Sequence, residues 1–154
     1  MYNGRKVYAI VLAAGSGRRM HSKTKKQFME ILGKPLFSWS ASRFDHHPAV
    51  DGVILTTGEE DIPYMKELTG TDGVCPLQKL ATIVAGGKER YNSVFEGLKK
   101  VAELEKLDTA SPDTGMTSSG AQDPLIMIHD CARPLLTDAI IDDALHYAEK
   151  YHAA

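Results

Sequence analysis

The chain has 154 residues, 43% of them hydrophobic and 25% charged, which predicts one compact domain over residues 1–154 with a real core, and excludes a disordered chain. Its 18 basic and 20 acidic residues leave a formal charge of -2, which excludes a general nucleic-acid coat. Cys75 and Cys131 are too few for a disulfide scaffold and lack zinc-ligand spacing, so both read as reduced thiols of a cytoplasmic protein.

In chain order, Arg5-Lys6 and the apolar run that follows have the outline of a signal-peptide start, with small residues at Ala13-Ala14. The run is short and passes at once into Gly15-Ser16-Gly17-Arg18-Arg19, so Val7–Leu12 reads instead as a strand buried on both faces. No stretch approaches the ~20 apolar residues of a membrane span. Pro35 opens a helix to about Phe44, which His47-Pro48 ends. Residues 53–57, 81–85 and 125–128 read as further buried strands. A helix is predicted over residues 59–68, with Pro63 near its start. Residues 93–107 carry Val94, Leu98, Val101 and Leu104 at helical spacing. Thr137 caps a last helix to Tyr151, with Ile140, Ile141, Leu145 and Ala148 on its apolar face. Strands alternating with helices imply a mostly parallel sheet covered by helices on both faces. Residues 108–124 are rich in Ser, Thr, Gly, Asp and Pro without periodicity, and are expected to form a flexible loop.

The chemistry concentrates after the first strand. Ala13, Ala14, Gly15 and Gly17 let backbone N–H groups approach an anion, and Arg18, Arg19, Lys23, Lys25 and Lys26 add a dense cationic stretch. Ligands of open α/β sheets sit at the carboxyl ends of strands, so this loop reads as a triphosphate or pyrophosphate site, with a solvated basic loop as the alternative. It is neither a P-loop, lacking the final Gly-Lys-Ser/Thr, nor a GxGxxG turn.

Leu12-Ala-Ala-Gly-Ser-Gly-Arg-Arg-Met20, Lys26-Gln27-Phe28 and Gly33-Lys34-Pro35-Leu36 resemble nucleotidyltransferases that load a sugar or polyol phosphate onto an NTP. Gly86-Gly87-Lys88-Glu89-Arg90-Tyr91-Asn92-Ser93-Val94 fits GGxxRxxSV, and Ile128-His129-Asp130-Cys131-Ala132-Arg133-Pro134 is similar to HDAARP. In this order and spacing the set resembles the 2-C-methyl-D-erythritol 4-phosphate cytidylyltransferase family of non-mevalonate isoprenoid biosynthesis. That resemblance implies a Rossmann-like nucleotidyltransferase fold, Mg²⁺ as cofactor, CTP and methylerythritol phosphate as substrates, and a cytoplasmic homodimer with no nucleic acid or membrane partner. It implies that Ala13, Ala14, Gly15 and Gly17 wrap the nucleotide phosphates and that Arg19 and Lys26 are the catalytic cations. Gly87 and Ser93 would face cytosine, Arg90 would brace their loop, and Asp130 and Arg133 would meet the second substrate. Asp130 is also the candidate metal ligand, against a loop-bracing or capping alternative.

Three departures stand out. The family has proline where Lys25 stands, which implies a less rigid loop and offers Lys25 as a partial substitute for Lys26. Cys131 replaces an alanine. Family members also continue past Ala154, with further strands and a dimerisation arm, so the chain is expected to be C-terminally truncated, to cover the first two-thirds of the family's length, and to be weakly active or inactive alone. Ribitol-5-phosphate cytidylyltransferase is the nearest rival reading. A non-catalytic CTP-binding fragment is the rival from another class.

Overall fold

The computed structural model describes residues 1–15, 24–106 and 123–151. Gly17, Arg18, Arg19 and Lys23 lie outside these residues, as does the expected 108–124 loop apart from Asp123 and Pro124. The β-branched run Val7–Leu12 forms β1, with all six residues buried. A single 3-10 turn, Lys26–Phe28, precedes a small antiparallel hairpin of β2 (Glu30–Ile31) and β3 (Lys34–Pro35). Its turn places Leu32 and Gly33 at φ of 52° and 75°. Glycine adopts that conformation without strain and leucine does not, which is why the hairpin escapes a reading by strand propensity.

Helix α1 (Leu36–His46) follows, with Pro35 as its cap and His47 ending it, one residue later at the start than expected and two later at the finish. Strand β4 (Gly52–Thr57) is fully buried. A 3-10 turn over Glu59–Asp61 leads into α2 (Ile62–Thr69), so the predicted single helix is two pieces. Strand β5 (Leu80–Ala85) is only half-buried, which corrects the expectation of a strand covered on both faces. Helix α3 (Arg90–Glu105) starts three residues before its predicted position, because Glu89 and Asn92 form a reciprocal capping box. Strand β6 (Leu125–Asp130) extends two residues beyond its predicted end and is likewise partly exposed. Helix α4 (Asp138–Tyr151) begins with the Thr137 hydroxyl accepting the Ile140 N–H at 3.3 Å.

The four main strands are all parallel, in the order β5-β4-β1-β6. Helices α1, α2 and α4 bury Phe37, Phe44, Met65, Ile141 and Leu145 against one sheet face. Helix α3 covers the other face, where Val101 meets Tyr8, Ile10, Ile54 and Val84. Each such large apolar side chain contributes roughly 1.5–3 kcal/mol by burial. The expectation that Ile140 shares the apolar face of α4 fails: it is 51% exposed, while Ile141 and Leu145 are buried. A helical register places residue 140 about a hundred degrees from 141.

Candidate functional site

Taken in chain order the main strands read 3-2-1-4, the doubly wound arrangement, which reverses between β1 and β6. Loops leaving neighbouring strands at a reversal diverge to opposite faces and open a crevice at the strand ends. A cleft of about 610 Å³ lies there. Its floor is Leu12, Ala14 and Gly15 at the end of β1; one wall is Gly87, Arg90 and Ser93 at the start of α3. The opposite wall is Asp130, Cys131 and Arg133 after β6, and Lys26 and Gln27 close the side.

The walls approach each other because Gly86 has no side chain. A Cβ there would stand 2.4 Å from the Ala14 Cβ and 2.6 Å from the Ser93 hydroxyl. Ser93 is consequently buried beside the β1 loop. Asp130 joins the far walls: its carboxylate accepts from Arg90 Nε at 3.0 Å and lies 3.6 Å from Arg133 Nε. The Arg133 N–H also closes a turn on the Asp130 carbonyl at 3.0 Å. Cys131 lines the cleft with its thiol pushed up to about 12, first by burial and then by the neighbouring Asp130 charge, so it stays a thiol.

The structure brings together Ala14, Gly15, Lys26, Gly87, Ser93, Asp130 and Arg133 around this one cleft. Ala13 does not face it: the side chain is in the core and its N–H donates to the Thr56 carbonyl at 2.8 Å. Gly17 and Arg19 lie outside the described residues. Lys25 corrects the sequence reading. Its ammonium is 2.5 Å from both the Glu60 and Asp61 carboxylates, so it is committed there and does not stand in for Lys26. Sequence reasoning missed Gln27, Lys88 and Glu89 as lining residues. Gln27 sits inside the Lys26-Gln27-Phe28 motif, and its buried Nε2 has no partner among the described residues. The place of Gln27 between Lys26 and Phe28 was the signal available in the sequence.

As for a cation, no group of three or more His, Cys, Asp or Glu gathers into a metal cage among the described residues. Asp130 and Glu89 are the carboxylates that line the cleft, and one or two carboxylates suit a Mg²⁺ shared with phosphate groups rather than caged by protein. No helix among the described residues is long and apolar enough to cross a membrane.

Comparison with known proteins follows the same geometry. The chain is 38% identical over 146 residues to the 2-C-methyl-D-erythritol 4-phosphate cytidylyltransferase of Clostridium kluyveri, covering 95% of this chain and 54% of that relative. It is 34% identical over 145 residues to its counterpart in Clostridium botulinum, covering 94% and 54%. The crystal structure of 4-diphosphocytidyl-2C-methyl-D-erythritol synthase from Anaerococcus prevotii superposes with a TM-score of 0.64 at 25% identity, over 96% of this chain and 52% of that one. The chain thus spans about half the length of the curated relatives it matches, less than the two-thirds expected from sequence. The family model for 2-C-methyl-D-erythritol 4-phosphate cytidylyltransferase matches residues 7–154, and with the shared fold and strand-end motifs the chain belongs to that family.

Proposed function

We propose that the chain carries the nucleotide side of a cytidylyltransferase that moves CMP from CTP to 2-C-methyl-D-erythritol 4-phosphate and releases pyrophosphate. The observation that supports it is the gathering of Lys26, Arg90 and Arg133 with glycine backbone in one cleft at the sheet's reversal point. A phosphate oxygen of the polyol attacks the α-phosphorus of CTP in line. The new O–P bond forms as the bond to the pyrophosphate oxygen breaks, and the leaving group takes that electron pair. The nucleophile is already an anion at neutral pH, so the reaction needs positive charge and orientation more than a base. Lys26, with Arg19, holds the triphosphate and meets the charge that develops at the α-phosphate. Ala14 and Gly15, with Gly17, form the backbone cradle, while Ala13 supports it from the core. Gly87 and Ser93 face the cytosine, and Asp130 and Arg133 orient the second substrate. Asp130 is the residue that would hold a Mg²⁺, which would supply charge to offset the phosphates. In this reading the enzyme works as a cytoplasmic homodimer, without nucleic-acid or membrane partners.

The test is pyrophosphate release from CTP with methylerythritol phosphate and with ribitol 5-phosphate, side by side. Release with the first alone supports the reading. Release with ribitol phosphate alone replaces it, and CTP binding without release in either case reduces the chain to a nucleotide-binding fragment.

A further inference from the structure

The turn that carries Lys26 is fastened on both sides of that residue, and each side has a fastening at the start of α2. On the apolar side, the Phe28 ring lies 5.1 Å from Tyr64 and 6.2 Å from Phe37, edge to face in both cases. On the polar side, Lys25 bonds Glu60 and Asp61 in the turn that opens α2, both at 2.5 Å. The Asp61 side chain is only 16% exposed, so its charge is less screened than that of a surface pair. Between the fastenings, Lys26 and Gln27 face the cleft. The Lys25 carbonyl accepts the Phe28 N–H at 2.9 Å, and the Lys26 carbonyl accepts the Met29 N–H at 3.2 Å. These two bonds tie the geometry of the turn to the anchor.

We propose that Lys25 is a positioning residue, whose double ion pair with Glu60 and Asp61 holds the Lys26 turn against α2 and so keeps the Lys26 ammonium at the phosphate site. This rests on the reading of the cleft as a nucleotide phosphate site. The hydrogen bond to Asp61, then that to Glu60, raises the Lys25 pKa, so the tether stays charged through neutral pH. Its backbone stands at φ −61°, ψ 140°, where a proline ring would fix it without strain. Proline can therefore replace the electrostatic tether with a covalent constraint.

The experiment measures amide exchange at Phe28 and Met29 and affinity for inorganic tripolyphosphate in the whole chain and in four variants. Lys25→Met and Asp61→Asn are expected to speed exchange and weaken tripolyphosphate binding, each by about twofold to tenfold, as fits loss of a partly shielded ion pair. Lys25→Pro is expected to restore both to within about twofold, because it constrains the same backbone. Lys26→Ala should weaken binding while leaving exchange unchanged. Unaltered exchange in a folded Lys25→Met, or a Lys25→Pro no better than Lys25→Met, overturns the tether. Faster exchange with unaltered binding in Lys25→Met, while Lys26→Ala does weaken binding, overturns only its positioning role. If Lys26→Ala also leaves binding unchanged, the phosphate reading itself falls, and the positioning role with it.

Discussion

Lys26 and Asp130 line one cleft and are expected to fail differently. A cation aimed at charge that develops in the transition state changes kcat more than ground-state affinity. Lys26→Ala is therefore expected to lower kcat at least about a hundredfold, the usual cost of removing one preorganised donor, with a much smaller loss of CTP affinity. Steady-state kinetics beside CTP calorimetry checks it, and a variant that merely raises KM contradicts it. Asp130→Asn keeps shape but removes the charge that pairs with Arg90 and Arg133. Turnover and its Mg²⁺ dependence should drop more than CTP binding measured without metal. Unchanged Mg²⁺ dependence would make Asp130 a bracing residue only. Both positions are legible in the sequence because each belongs to a motif of several residues in fixed order. The destination of Lys25 is not, since Glu60 and Asp61 meet it only through the folded path of α1 and β4.

Among elements, the tightest fit is the β5–α3 loop against the end of β1. A methyl group at residue 86 meets Ala14 and Ser93 well inside contact distance, and the Ala14 Cβ, fixed to the backbone, has no flexible end to withdraw. Gly86→Ala should cost about 1–3 kcal/mol, as overpacking does, and should weaken CTP binding in parallel; denaturant titration and calorimetry read the two effects. At the opposite end of the sheet, Gly52 leaves room for the Tyr8 ring, whose hydroxyl donates to the Glu105 carboxylate at the end of α3 beside Lys6. Burial first, and then Glu105, push the Tyr8 phenol above its ordinary value. A phenol raised in the folded state stabilises fully below its unfolded pKa of about 10 and loses that contribution as pH rises beyond it. Tyr8→Phe should therefore be less stable than the parent by about 1.5–3 kcal/mol at pH 7, the worth of a hydrogen bond to a charged group, and the gap should shrink in urea titrations above pH 10. An equal gap at both pH values contradicts the assignment. The elements themselves were readable wherever apolar periodicity was strong, as in β1, β4 and α3. Their ends were less so: caps such as Glu89–Asn92 and the left-handed Leu32-Gly33 turn are set by local hydrogen bonds and backbone conformation that hydrophobic pattern does not encode.

For the whole molecule, the site is a property of strand order, and its selectivity should appear in global stability. A ligand that binds only the folded chain raises its apparent stability by mass action. With Mg²⁺ present, CTP should raise the melting temperature more than ATP or GTP, because Gly87 and Ser93 border a narrow wall beside Gly86. Equal shifts for all three nucleotides would show a phosphate site without base selection. The parallel α/β class was legible from the alternation of strands and helices, whereas the burial of the two outer strands was not. A continuous apolar run reads alike whether one or both of its faces are covered, and β5 and β6 occupy the sheet's margins.

The pairing of β1 with β6 also dictates when the cleft comes into being. Val7 aligns with Leu125 and Leu12 with Asp130, joining opposite ends of the chain in parallel register. Such distant pairing closes a long loop before it gains any contact and is slow for that reason. The β1–β4–β5 side, built from nearer neighbours in sequence, has the shorter loops to close and should assemble first. Asp130, Cys131 and Arg133 reach the cleft only when β6 docks, so during refolding the capacity to bind nucleotide should arrive in the final phase, after most helical signal has returned.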